Sequence, residues 1–173
     1  FMSISMYNNS IPVFVRYLNN LSGILAAGAT YATEQDIDES VLINARLFPN
    51  MLPLSRQVQI ACDMVRRAGA RLSGDEPTST EDTETTFAEL SARIDATKAY
   101  LLTLSEEKIN ASSDIKIVMP AGPIELTFTG IEYLNLWALP NMFFHVTTTY
   151  NILRHNGVAL GKIDYLGVAD FRS

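Results

Sequence analysis

The sequence predicts an all-α protein: an up-down four-helix bundle with a small β-hairpin inserted before the last helix. Three observations predict it. Four segments repeat apolar residues at intervals of three and four, which puts them on one face of a helix. One segment switches to a period of two around the turn Pro-Ala-Gly-Pro. No internal repeat or linker interrupts the 173 residues. That length suits one domain, so 1–173 is expected to form a single bundle.

The first helix is expected from about Ile11 to Tyr31, with Ile11, Phe14, Leu18, Leu21 and Leu25 in one line. Ser10 is a candidate N-cap, and Pro12 falls where an early helical proline is tolerated. The connection that follows has room for a short helix over Glu39–Leu47. The second helix covers about Leu54 to Leu72. Its seam is Leu54, Val58, Ala61, Val65, Ala68 and Leu72, and Gly74 ends it. Gln57 and Cys62 fall near the two borders of this apolar arc. Gln59 and Asp63 project to the opposite, arginine-rich side, where Asp63 is expected to pair with Arg66 or Arg67 at the surface. The stretch GDEPTSTEDTE, with five acids and no base, reads as a solvated loop.

The third helix is expected from about Thr86 to Leu104 and opens on a capping box, Thr86 with Glu89. Phe87, Leu90, Ile94, Leu101 and Leu104 line one face, and Thr97 completes the register. Ile115, Ile117 and Met119 then alternate with other residues, as do Ile124, Leu126 and Phe128 after the turn, which predicts the hairpin. Thr129 and Glu132 offer a second capping box. The last helix is expected from about Gly130 to His155, stopping at Gly157.

Bulk properties narrow the function classes. A net charge of -6 without any Lys/Arg run disfavours nucleic acid as a partner. The single cysteine, Cys62, cannot close an intramolecular disulfide, so nothing suggests an oxidising compartment. No apolar run approaches the roughly 18 residues of a membrane span. The first ten residues lack the basic start and apolar middle of a signal peptide. A cytoplasmic protein with no membrane partner is the expectation.

The last helix carries the chemistry. It holds both histidines of the chain, His145 and His155. Projected at the helical period, Ile131, Leu134, Ala138, Asn141, His145, Thr148 and Ile152 fall on one seam. The middle of that seam is polar, and Thr149 lies beside it. Trp137, Leu139, Phe143, Phe144 and Tyr150 cover the other sides, so the helix is expected to be buried all round. A buried polar group without a partner costs about 1–3 kcal/mol. Three in a row on a core seam therefore suggest either a small-molecule pocket inside the bundle or a hydrogen-bond network that fixes helix register. In the pocket reading His145 is the acid/base candidate, oriented by Asn141. Thr148, Thr149, Trp137, Tyr150, Gln57 and Cys62 are the candidate ligand contacts. Pro140 removes the hydrogen bond to the carbonyl of Leu136 and bends the helix just before Asn141. Arg154 and His155 sit at the helix end, as capping residues do.

The spacing offers little to a metal. Two histidines ten apart share no face, and the neighbours of His145 one turn away are Asn141 and Thr149, neither a strong zinc ligand. A set built on His145, Asn141 and a Cys62 thiolate is the one metal site the residues offer, and Cys62 also reads as a small apolar core filler. No resident cofactor is expected. The stretch LSGILAAGAT lies within a helix and lacks the P-loop lysine, and no G-x-S-x-G elbow is present.

Three stretches carry a resemblance: NARLFPNMLPLSRQVQIACD (Asn44 to Asp63), FAEL-x-ARI in the third helix, and LPNMFFHVTTTYNILRHNGVALGKIDYLG (Leu139 to Gly167). Together they resemble a DinB-like family known only as a domain of unknown function, and the likeness spans nearly the whole chain. It implies the DinB/YfiT-like four-helix bundle, often a homodimer. Catalytic members of that superfamily bind a divalent metal with three histidines, one from the second helix and two from an H-x-x-x-H on the fourth. They include thiol-dependent S-transferases and isomerases. Matched to that pattern, the H-x-x-x-H falls on Asn141 and His145, and the second-helix position falls near Cys62. Three readings follow: a metal-independent small-molecule site around His145, with or without catalysis; a non-catalytic dimeric binding or scaffold protein whose metal site has decayed; and a divalent-metal-dependent S-transferase-like enzyme.

Overall fold

A computed structural model describes residues 5–167. Four long helices build the bundle: α1 (Ile11–Glu34), α3 (Leu54–Ser73), α4 (Phe87–Leu101) and α7 (Leu139–His155). Short helices α2 (Glu39–Ile43), α5 (Glu106–Asn110), α6 (Gly130–Glu132) and α8 (Lys162–Leu166) fill the connections. The hairpin is β1 (Lys116–Ala121) and β2 (Ile124–Thr129), just ahead of the last long helix. Around the bundle, α1 packs on α4 and α7, and α3 packs on α4 and α7. The interface of α3 with α7 brings Gln57 to His145.

The predicted seams form the core. Ile11, Phe14, Leu18, Leu21 and Leu25 of α1, Leu54, Val58, Ala61, Val65, Ala68 and Leu72 of α3, and Phe87, Leu90, Ile94 and Leu101 of α4 are all buried. Both predicted capping boxes are present, Thr86 with Glu89 and Thr129 with Glu132. Gly74 takes the left-handed conformation, φ 77°, that ends α3 without the strain a Cβ would bring. Ser10 behaves differently from the expectation. It sits at the N-cap of α1, but its hydroxyl donates back to the carbonyl of Met6 at 2.7 Å and caps no helical N–H.

The hairpin pairs antiparallel, with Ile117 opposite Phe128 and Met119 opposite Leu126. Ile117 and Met119 turn into the core, as a period of two requires. At the exit of β2 the backbone passes so close to the α5–β1 connection that a Cβ on Gly130 would collide with the carbonyl oxygen of Ser112.

The last helix departs from the expectation in two ways. It is not uniform: Tyr133–Ala138 forms a π-helical stretch between α6 and α7. Pro140 has no N–H to offer the carbonyl of Leu136, and the wide turns lie immediately before it. Nor is the helix buried all round. Leu136 is 67% and Phe144 57% exposed, while Leu139, Phe143 and Tyr150 are only partly buried. Aromatic content on every side is a poor guide here, because one flank of this helix has no neighbour among the described residues.

Candidate functional site

His145 is anchored across the α3–α7 interface. Its Nδ1 lies 2.8 Å from Oε1 of Gln57. The amide orientation of Gln57 is set by its own Nε2, which donates to the carbonyl of Leu52 at 3.1 Å. Oε1 must then accept, so Nδ1 of His145 carries the proton and Nε2 keeps its lone pair. No hydrogen bond to Nε2 is found among the described residues. His145 is 9% exposed, and burial pushes its pKa down to about 4. It is therefore a neutral imidazole across the physiological range. It can accept a hydrogen bond at Nε2, and it holds no proton there to donate as a general acid.

The other polar seam residues are satisfied within their own helix. The amide nitrogen of Asn141 donates to the carbonyl of Trp137 at 2.7 Å. Thr148 Oγ1 donates to the carbonyl of Phe144 at 2.7 Å, and Thr149 Oγ1 to that of His145 at 2.9 Å. These back-bonds remove most of the free-energy cost of burying a hydroxyl or amide. Asn141 does not orient the imidazole; Gln57 does.

Cys62 faces a different helix. It is buried, burial pushes its thiol up to about 12, and Thr97 on α4 gives it a hydrogen-bonding neighbour. Gln57 reaches toward α7 while Cys62 reaches toward α4, so the two borders of the apolar arc serve separate interfaces. His155 is exposed at the end of α7, beside Gly157 with φ 98°.

The metal that the fold implies can be tested on these donors. The Asn141 amide nitrogen is turned to its own helix, Cys62 faces Thr97 on α4, and one His145 nitrogen is engaged by Gln57. That leaves Nε2 of His145 and at most the weakly ligating Oδ1 of Asn141, whereas zinc sites take three or four protein ligands. Among the described residues no three His, Cys, Asp or Glu side chains converge on one point. The described residues do not fit a divalent metal centre.

One predicted contact residue does line a cavity. Trp137 borders a space of about 520 Å³ together with Arg67 and Arg71 of α3. In sequence those arginines read as no more than a solvated face. Helical spacing would have grouped them, since Met64, Arg67 and Arg71 step by three and four. Nothing local says that the loop and hairpin close over them.

The acidic loop also differs from the expectation of a solvated segment. Arg93, whose side chain is 4% exposed, pairs with Asp63 at 2.8 Å, Asp82 at 3.0 Å and Glu84 at 3.0 Å. Asp63 does pair with Arg67, at 3.0 Å, but its second oxygen is held by Arg93. Gln59, projected outward, is buried and donates to Glu84 at 2.9 Å. A lone arginine inside FAELSARI marks this hub only once the loop is known to fold back on it.

Comparison with known proteins supplies the family. The model of the family described as domain of unknown function (DUF1993) matches residues 6–166. The crystal structure of a DinB family member protein from Shewanella denitrificans is similar to this chain at 39% identity and a TM-score of 0.89. The similarity covers 96% of this chain and 94% of that one. No curated protein matches. With the family model spanning the four long helices, the hairpin and the His145 segment, the chain belongs to the DinB-like family described as a domain of unknown function, DUF1993.

Proposed function

We propose that this protein is a metal-independent small-molecule-binding bundle in which neutral His145 acts as a hydrogen-bond acceptor through Nε2. The observation that carries this reading is the Gln57–His145 bond at 2.8 Å, which fixes the tautomer and leaves the Nε2 lone pair without an acceptor role inside the described protein. A purely structural histidine gains most by using both nitrogens. The low pKa argues for recognition over acid catalysis, because a group that titrates near 4 is far from the operating pH that suits an acid/base.

Two measurements test it. Nitrogen-15 spectra of histidine at neutral pH should show Nδ1 protonated and Nε2 bare. A screen of water-soluble metabolites by thermal shift should return a ligand whose stabilisation disappears in His145→Leu. A second reading, a non-catalytic scaffold, is favoured by the back-bonded Asn141, Thr148 and Thr149. If no metabolite shifts the melting temperature of the wild type, and His145→Leu costs no more than the loss of one buried hydrogen bond, the scaffold reading stands and the binding reading falls.

A further inference from the structure

The cavity beside Trp137 is built from donors and apolar walls. Arg67 and Arg71 lie one turn apart on α3. Ser79 comes from the loop 74–86, Met119 from β1, and Met64 from α3. Among the described residues no carboxylate side chain lines this cavity, although the chain as a whole carries a net charge of -6. Arg67 uses one terminal nitrogen, which donates to Asp63 at 3.0 Å and to Ser79 at 3.2 Å. Arg71 donates one terminal nitrogen to the hydroxyl of Tyr133 at 3.2 Å. Among the described residues no partner is found for their remaining N–H groups. Arg71 also borders a neighbouring cavity of about 430 Å³ that contains Asp75, Glu76 and Lys116. The end whose wall holds no carboxylate therefore lies toward Arg67, Ser79 and Trp137, with Asp63 paired to Arg67 behind it.

Trp137 supplies the aromatic wall of the cavity. The residue sits in the π-helical stretch, its ring tilted 45° against Phe128 at 6.1 Å. Single π turns recur where a helix is shaped for a ligand.

We propose that this cavity binds an organic carboxylate carried on an apolar body, the carboxylate toward Arg67 and Arg71 and the body against Met64, Met119 and the indole. Guanidinium forks match the planar carboxylate. Methionines give a wall that adapts to the shape of the body. This site is argued independently of His145, so either proposal can fail without the other.

Trp137 is the only tryptophan in the chain, so its fluorescence reports on this cavity alone. Titration of the full-length protein with 4-phenylbutyrate should give a saturable change in tryptophan emission. Calorimetry should give a Kd of about 1 mM or tighter, the level that charge-assisted hydrogen bonds with partial apolar burial reach. Binding should weaken with added salt. Ser79→Asp places a carboxylate beside Arg67 on an exposed loop, so it should abolish binding while leaving the melting temperature unchanged. Arg67→Gln should weaken it about tenfold, the loss expected for a charge-assisted hydrogen bond. Arg154→Gln, exposed at the far end of α7 and outside the cavity, should leave it unchanged. Inorganic phosphate binding as tightly as phenylbutyrate would overturn the apolar-body assignment. Absence of any saturable signal, or full binding by Ser79→Asp, would overturn the site.

Discussion

A single buried imidazole links stability to pH at the residue scale. Folding lowers the pKa of His145 from an ordinary histidine value to about 4. Below the ordinary value of about 6.5 the unfolded chain takes up a proton that the folded chain refuses. The contribution is therefore fully present above about pH 6.5 and is lost progressively as the pH falls toward 4. Complete loss amounts to about 3 kcal/mol at most, since each tenfold change in proton affinity is worth about 1.4 kcal/mol and the ring retains some contact with solvent. His145→Leu has nothing to titrate. Its urea midpoint should thus vary less between pH 6.5 and 4.5 than that of the wild type. Equal pH slopes in the two proteins would mean that His145 is not held neutral by the fold. The same substitution leaves Gln57 Oε1 without its donor, so a modest loss at neutral pH is expected from that amide.

Arg93 works at the scale of elements. It joins α3, α4 and the loop between them by pairing with Asp63, Asp82 and Glu84. The loop is further tied by Arg56, which pairs with Asp82, and by Gln59, which donates to Glu84. Replacing Arg93 by alanine leaves the half-buried Glu84 carboxylate without a cation and Asp63 with Arg67 alone. Removing one member of a buried charge cluster costs about 3–5 kcal/mol, and the partial exposure of Asp82 favours the lower figure, about 3 kcal/mol. Arg93→Ala should lower the urea midpoint accordingly and open 74–86 to proteolysis before the bundle itself. Arg93→Lys keeps the charge and loses the fork, so it should fall between. If Arg93→Ala unfolds at the wild-type midpoint, the cluster is only a surface pairing. The loop in turn covers the arginine-lined cavity, so a loosened loop should also weaken carboxylate binding there.

For the molecule as a whole, what can be seen in the sequence is what depends on local period and local chemistry. Leu54 to Leu72 announce α3 because each seam residue repeats one face, and Thr86 with Glu89 announces the start of α4 because a capping box is a contact between near neighbours. The hairpin is visible in Ile117 and Met119 for the same reason. What the sequence hides is long-range. That Phe144 is exposed depends on no other described helix covering its flank. That Gln57, not Asn141, orients His145 depends on how α3 and α7 meet. The burial of Arg93 depends on a loop folding back. The metal question is also long-range, since ligands must converge from different helices, and here Gln57 and Cys62 diverge toward α7 and α4. A bound metal stabilises the native state in proportion to the logarithm of its concentration over Kd. If no site exists, exhaustive dialysis against a chelator should leave the melting temperature unchanged, and re-addition of zinc, manganese or nickel ions should leave it unchanged again. Elemental analysis of the purified protein should find each of them well below one equivalent. One equivalent of metal together with a fall in melting temperature on chelation would show that the side chains around His145 rearrange to ligate it, and would restore the transferase-like reading that the resemblance first suggested.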